Sequence, residues 1–257
     1  MNNLNEKNID YIMDQLDRYI FLMELSILVL NQGEKAYVFK CKSNEDFMQS
    51  IEYIMNYLNT VYTIKEFASS FSWEDEVNRI QNTYYKQNHW YKFTIEYRNC
   101  AVHSFALPRT YNPEDGELVI NIDDLIAKQS VLLGNERNEK KKDQITGRIN
   151  TLSAFKSTFT PIFPASEFIV RSLKQVLCMT TKMLHAEFNA VTRSALIELI
   201  NHKELNTNLN ISLMLENFYV NSKYKLANNE DLFKEIHKLF AENSYTKFKH
   251  YDSTRWF

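Results

Sequence analysis

The side chains best suited to chemistry lie in one stretch, Tyr97-Arg98-Asn99-Cys100-Ala101-Val102-His103. An arginine, an amide directly after it and a histidine five residues on are residue types that cleave a phosphodiester without a metal. Histidine titrates near neutrality, so it can take the proton from a ribose 2′-hydroxyl or return one to the leaving oxygen. Arginine offers fixed donors to charged phosphate oxygens and stabilises the charge that builds up in the transition state. The amide of Asn99 can orient the histidine or hold the phosphate. If the 2′-hydroxyl is the nucleophile, the substrate is RNA, because DNA lacks that group.

Spacing alone carries little weight. With nine arginines and six histidines in the chain, random order produces roughly 0.6 occurrences of arginine and histidine separated by four to six residues. Requiring asparagine after the arginine, with 27 asparagines present, lowers that to roughly 0.06. One occurrence is found. The alternative makes Arg98 a structural ion-pair partner and His103 the cap of a helix end.

The element that must position these groups begins after Asn88, a candidate N-cap, and ends before Pro108, because the residue ahead of a proline avoids the α region. At 100° per residue, Trp90, Phe93, Tyr97, Cys100 and Ala101 share one side and are expected to face the core. Lys92, Glu96, Asn99 and His103 form a polar stripe opposite. Arg98 lies apart, beside a second apolar edge of Tyr91, Ile95 and Val102. Asn99 and His103, four residues apart, are neighbours, whereas Arg98 and His103 are separated by about 140°. Three arrangements would let both grip one phosphate: the helix unwinds near His103, Arg98 swings round, or a second copy of the motif completes the site across a two-fold axis.

The rest of the chain reads as helical scaffold. Apolar residues recur with helical rhythm from Asn8 to Leu30, with Gly33 as a stop. Ser43-Asn44-Glu45-Asp46 opens a second helix to about Phe71, and Ser72-Trp73-Glu74-Asp75 opens a third to about Gln87. Beyond the motif, the turn signal Asn112 to Gly116 and the alternation of Leu118 to Ile122 suggest a small hairpin-like excursion. Asp123 or Asp124 can cap a helix through Leu133. The mixed-sign run Asn135 to Asp143 reads as a solvated helix face, with a basic edge on a polyanion as the alternative. The segment Thr160 to Pro164 interrupts the helices and is the candidate internal break. Pro164 then suits the start of a long helix reaching about His202, and shorter helices are expected near Ile211 to Val220 and Glu230 to Phe240. The fold class is therefore all-α, a helical bundle with a small β-hairpin-like excursion after the motif helix, read as a single domain over 1–257 with a carboxy-terminal helical extension.

Composition agrees. Four glycines and four prolines in 257 residues are too few for an architecture of many strands and tight turns. Thirty basic and 32 acidic residues leave a formal charge of −2, so any RNA site is local. Cys41, Cys100 and Cys178 are odd in number and without a metal-type pairing, which suggests core thiols in a reducing compartment and no metal or cofactor. Neither a signal-peptide pattern nor a membrane-length apolar run is evident, so the expectation is cytoplasmic with no membrane association.

Weaker candidates surround the motif. Lys92 on the polar stripe, and Arg109 and Tyr111 on the excursion, are candidate RNA contacts; a surface role beside a turn is the alternative for the latter two. His185 and Glu187 are two apart and point to different sides of a helix. His202, with Glu198 four residues before it, reads as a surface pair. His89, His237 and His250 stand alone, and the aromatics from Tyr84 to Tyr91 read as core packing rather than a base-stacking platform.

The Arg98, Asn99 and His103 combination resembles the HEPN family, α-helical domains whose nuclease members carry an arginine, a polar residue directly after it, and a histidine at this spacing. The resemblance covers Trp90 to His103, with the helical bundle as context. It implies a metal-independent endoribonuclease that works as a homodimer with a composite site, often in toxin-antitoxin, abortive-infection or antiphage systems with an antitoxin or defence partner protein. A non-catalytic RNA-binding or protein-interaction module of the same type is the alternative.

Overall fold

The computed structural model describes residues 2–104, 106–108 and 110–201. Two compact units share the chain, one formed by Leu28–Leu177 and the other by Met1–Ile27 with Cys178–Phe257. The elements run α1 (Asn2–Val38), α2 (Asn44–Ser69), α3 (Glu76–Gln87), α4 (His89–Ser104), β1 (Val119–Asn121), α5 (Ile122–Asn135), α6 (Glu139–Thr158), β2 (Ile162–Pro164) and α7 (Ala165–Asn201). Over the described residues the chain is thus a helical bundle with one small sheet, as composition and periodicity require. The two expected helices between Ile211 and Phe240 lie outside the described residues.

Two helix starts, at Ser43 and Asn88, are set by the expected caps, whereas the third helix begins three residues later than the signal at Ser72 suggests, with Asp75 as its cap. The Ser43 hydroxyl accepts from the Asp46 amide, the Asp75 carboxylate from the Val77 amide, and the Asn88 side chain from the Tyr91 amide at 2.9 Å. Helix α5 differs from expectation, because Asn121 rather than Asp123 or Asp124 is its cap, accepting from the Asp123 amide at 2.9 Å. The two aspartates occupy the first turn instead, where they favour the positive end of the helix dipole.

Gly33 does not stop the first helix, which continues to Val38. A Cβ at that position would lie 2.9 Å from a Leu173 methyl carbon and 3.5 Å from the Tyr57 ring, so the glycine allows close approach of α7 and α2. The excursion after α4 also resolves differently from a simple hairpin. Tyr111 and Leu118 form an isolated bridge around the expected turn. The main pairing of β1, however, is antiparallel with β2, Ile120 opposite Phe163. Those two residues are buried, whereas Ile162 at the end of the ladder is exposed. The interruption expected at Thr160 to Pro164 is therefore the strand that closes the loop of chain carrying α5 and α6.

Around the motif helix the core is aromatic. Phe93 stacks on Phe155 of α6 with ring centroids 4.3 Å apart, and Trp90 meets the same ring edge-on at 4.8 Å. Phe168 of α7 packs edge-on against both Phe93 and Tyr97. The Ser172 hydroxyl links the Tyr57 hydroxyl at 2.7 Å and the Thr94 hydroxyl at 2.6 Å, which satisfies those three buried groups, whereas the buried Tyr97 hydroxyl has no hydrogen-bond partner among the described residues. In the other unit, Arg18 of α1 donates to the buried carboxylate of Glu187 of α7 at 2.6 Å, which gives Glu187 a structural role.

Candidate functional site

The motif helix buries the expected face. Trp90, Phe93, Tyr97, Cys100 and Ala101 are all in the core, joined by Tyr91 and Ile95 from the second apolar edge, while Val102 stays exposed. Helix α4 remains helical through Ser104, so it does not unwind at His103. It ends where the Ser104 hydroxyl bonds the Cys100 carbonyl at 2.6 Å and in turn accepts from Gln129 of α5 at 2.7 Å. His103 therefore sits in the last turn, exposed, on a rigid support.

Arg98 is turned toward α2 and not around the helix toward His103. Its guanidinium carbon lies 3.9 Å from the centre of the Tyr62 ring, and its Nε donates to Asn59 Oδ1 at 3.3 Å. A cation on an aromatic face with one side-chain anchor is held in place without an ion pair. Its two Nη groups make no hydrogen bond among the described residues and remain available to a planar anion. Asn99 is occupied differently from the expected pairing with His103. Its Nδ2 donates to Glu96 Oε2 at 3.3 Å.

Glu96 is the first correction to the polar stripe. Rather than facing solvent it is only 7% exposed. Its carboxylate accepts a short hydrogen bond from the Tyr85 hydroxyl, the bond from Asn99, and an ion pair with Arg148 Nε of α6 at 3.7 Å. Burial first, then the Glu96 charge, pushes the Tyr85 hydroxyl well above the usual tyrosine range, so it stays a donor. The stripe is covered because α6 packs its Ile145, Leu152 and Phe155 face toward the core, and Arg148 lies on that same face.

Arg148 brings a second arginine to the motif. Its side chain is 13% exposed, yet none of its nitrogens is among the buried unpartnered polar atoms of the described residues, so they reach solvent. The consequence appears at His103. Partial desolvation, then the positive charges of Arg148, Arg98 and Lys141, hold its imidazole below the ordinary histidine value. At neutral pH His103 is neutral and can accept a proton. The neighbouring thiol of Cys100 is pushed up to about 12, chiefly by burial, and is a core group without nucleophilic character.

The remaining sequence candidates are placed as follows. Lys92 lies on the same stripe, with its ammonium 5.6 Å from the centre of the Tyr85 ring. Tyr111 packs its ring on Phe47 of α2, with centroids 6.0 Å apart, and makes no described contact with the motif side chains. Arg109 lies outside the described residues. The charged run before and into α6 is largely solvated, with Asn138 capping the helix and Glu139 pairing with Lys142 at 2.7 Å; Lys141 is the member whose charge acts on His103. His89 packs edge-on to Phe159, and Trp90 and Tyr91 are core, as the packing reading expects.

Sequence reasoning missed Arg148 and the role of Glu96. A signal existed: Ile145, Arg148, Leu152 and Phe155 follow the i, i+3, i+7 rhythm of one helix face, and an arginine inside an apolar stripe needs a partner. Behind α4 a cavity of about 190 Å³ is lined by Tyr97, Pro108, Ile120, Asp124, Lys128 and Ile162 among others; none of the three motif side chains reaches it. Among the described residues no helix is long and apolar enough to cross a membrane, and no cluster of three or more metal-donor side chains occurs.

Compared with models of protein families, with curated proteins and with solved structures, the chain matches none of them.

Proposed function

We propose that this chain is a metal-independent endoribonuclease of the HEPN type, acting as a homodimer in a toxin or antiphage defence system. His103 is the general acid/base, Arg98 the phosphate clamp and Asn99 the positioning amide. The observation that carries the reading is the exposed imidazole of His103 at the end of α4, kept neutral among three cations, Arg98, Arg148 and Lys141. Such a site attracts a phosphodiester and holds a base beside it. The neutral imidazole takes the 2′-hydroxyl proton as the 2′-oxygen attacks phosphorus. The bond to the 5′-oxygen breaks, that oxygen receives a proton from an imidazolium, and the product ends are a 2′,3′-cyclic phosphate and a 5′-hydroxyl.

Arg98 and His103 point to different sides of one straight helix, and Arg98 is held on Tyr62. A second motif helix across a two-fold axis completes the set with one donor from each copy. Purified protein is expected to cleave RNA in the presence of EDTA and leave cyclic phosphate ends, with His103→Ala reducing the rate at least a thousandfold. A requirement for divalent metal, or unchanged cleavage by His103→Ala, overturns this mechanism.

The anchoring of Arg98 on Tyr62 and Asn59 equally suits an RNA-binding module without turnover. In that case Arg98→Ala weakens RNA binding while the unmodified protein yields no product on long incubation.

A further inference from the structure

We infer that Arg148 is a second phosphate-binding residue, taking the RNA phosphate next to the scissile one, and that Glu96 is the positioning residue that holds it there. The inference rests on the ribonuclease reading for its substrate class, and three structural observations carry it.

The first is the matched anchoring of the two arginines. Arg98 is tied through Nε to Asn59, and Arg148 through Nε toward Glu96, at 3.3 Å and 3.7 Å. Each fixes the guanidinium by its inner edge and leaves the two Nη groups without a hydrogen bond among the described residues. Paired outer donors of this kind recognise a planar or tetrahedral oxyanion in bidentate fashion. The second is the origin of the residues. Arg148 comes from α6 and Arg98 from α4, and the charges of both act on His103, so a strand whose scissile phosphate lies at His103 finds a further cation supplied by another helix. The third is the expense of the arrangement. Placing a guanidinium on the Ile145, Leu152 and Phe155 face desolvates it, and apolar packing of that position would be at least as stabilising. The Glu96 carboxylate, itself braced by Tyr85 and Asn99, offsets that desolvation and directs the side chain. Formally, Arg98, Arg148 and Lys141 against Glu96 leave the cluster with two positive charges, which suits more than one phosphate.

The test is equilibrium binding of a 2′-O-methyl RNA oligomer, which cannot be cleaved, by fluorescence anisotropy across a salt series. Cleavage of ordinary RNA is assayed in parallel. Arg148→Gln is expected to weaken binding about tenfold and to lower the slope of log affinity against log salt by about 0.7, the value for one phosphate contact on a single strand. Because this variant strands the Glu96 carboxylate, the paired variant Glu96→Gln with Arg148→Gln is measured beside it. The pair leaves net charge unchanged, so a cluster acting only through its overall field would bind as the unmodified protein does. The proposal expects the same loss of affinity and slope as Arg148→Gln. Wild-type affinity and slope in the paired variant would overturn the inference even where the protein cleaves RNA. Binding that responds to Arg148 in a protein that never cleaves would instead overturn the ribonuclease reading and leave the phosphate contact standing.

Discussion

His103 carries the most direct consequence of its surroundings. Its neutral form is favoured by partial desolvation and by the charges of Arg148, Arg98 and Lys141, so the folded value lies below the ordinary 6.5. The acidic limb of the pH–rate profile for RNA cleavage, where the base gains its proton, should therefore lie at lower pH than for a free histidine, and Arg148→Gln should move it upward. An imidazole titration by NMR, with and without the substitution, checks both. The sign for stability follows from the same shift. Above about pH 6.5 the group is neutral folded or unfolded and contributes nothing. As pH falls from there through the folded value, the unfolded chain binds the proton more readily and the folded state loses stability. Glu96 behaves as a structural anion at the same scale. Glu96→Ala removes the partner of a largely buried arginine and the acceptor for the Tyr85 hydroxyl. Urea denaturation should register a loss of about 3 kcal/mol; a loss under about 0.5 kcal/mol would show that water replaces the carboxylate at no penalty.

At the scale of elements, the turn of the excursion is anchored more firmly than its length suggests. Gly116 has φ of 71°, the Cys41 amide donates to its carbonyl at 2.8 Å, and a Cβ there would lie 2.5 Å from the Cys41 carbonyl oxygen. Gly116→Ala meets both a left-handed backbone penalty and a backbone clash, so it should destabilise by about 2 kcal/mol in equilibrium unfolding. A neutral result would mean that the excursion can lift away from the segment before α2. The strand pairing that follows has a related effect on the motif. With Ile120 and Phe163 buried together, β1 and β2 bracket the chain carrying α5 and α6. Those two helices supply Gln129 to the end of α4 and Arg148 to Glu96. A strand that reads as a loop signal in sequence thus sets where the second arginine arrives.

For the whole molecule, the decisive expectation concerns assembly. One copy of the chain presents Arg98 on the α2 side of its helix and His103 exposed at its end. If two copies build each site, specific activity should fall on dilution in step with the dimer fraction measured by sedimentation. Mixing His103→Ala with Arg98→Ala chains then gives heterodimers in which one of the two sites keeps both an arginine and a histidine, with partial recovery of activity. Full activity in a demonstrated monomer would remove the composite site from the mechanism while leaving His103 as its base.

Much of this protein is determined within a few residues of chain. The caps at Ser43 and Asn88, the helical rhythm, and the aromatic face of α4 are all set by short-range geometry, and all are legible in sequence. So is the exposure of His103, which follows from its place on the face opposite Trp90 and Phe93. What the tertiary structure alone decided is which distant side chains share space with the motif. Glu96 reads as solvated until α6 covers it with Arg148, and Gly33 reads as a helix stop until Leu173 and Tyr57 close on it. The physical reason is the same in each case. A helical wheel gives the direction in which a side chain leaves its own axis, whereas burial and pairing depend on the element that packs there, and that is settled by the joint fit of the core.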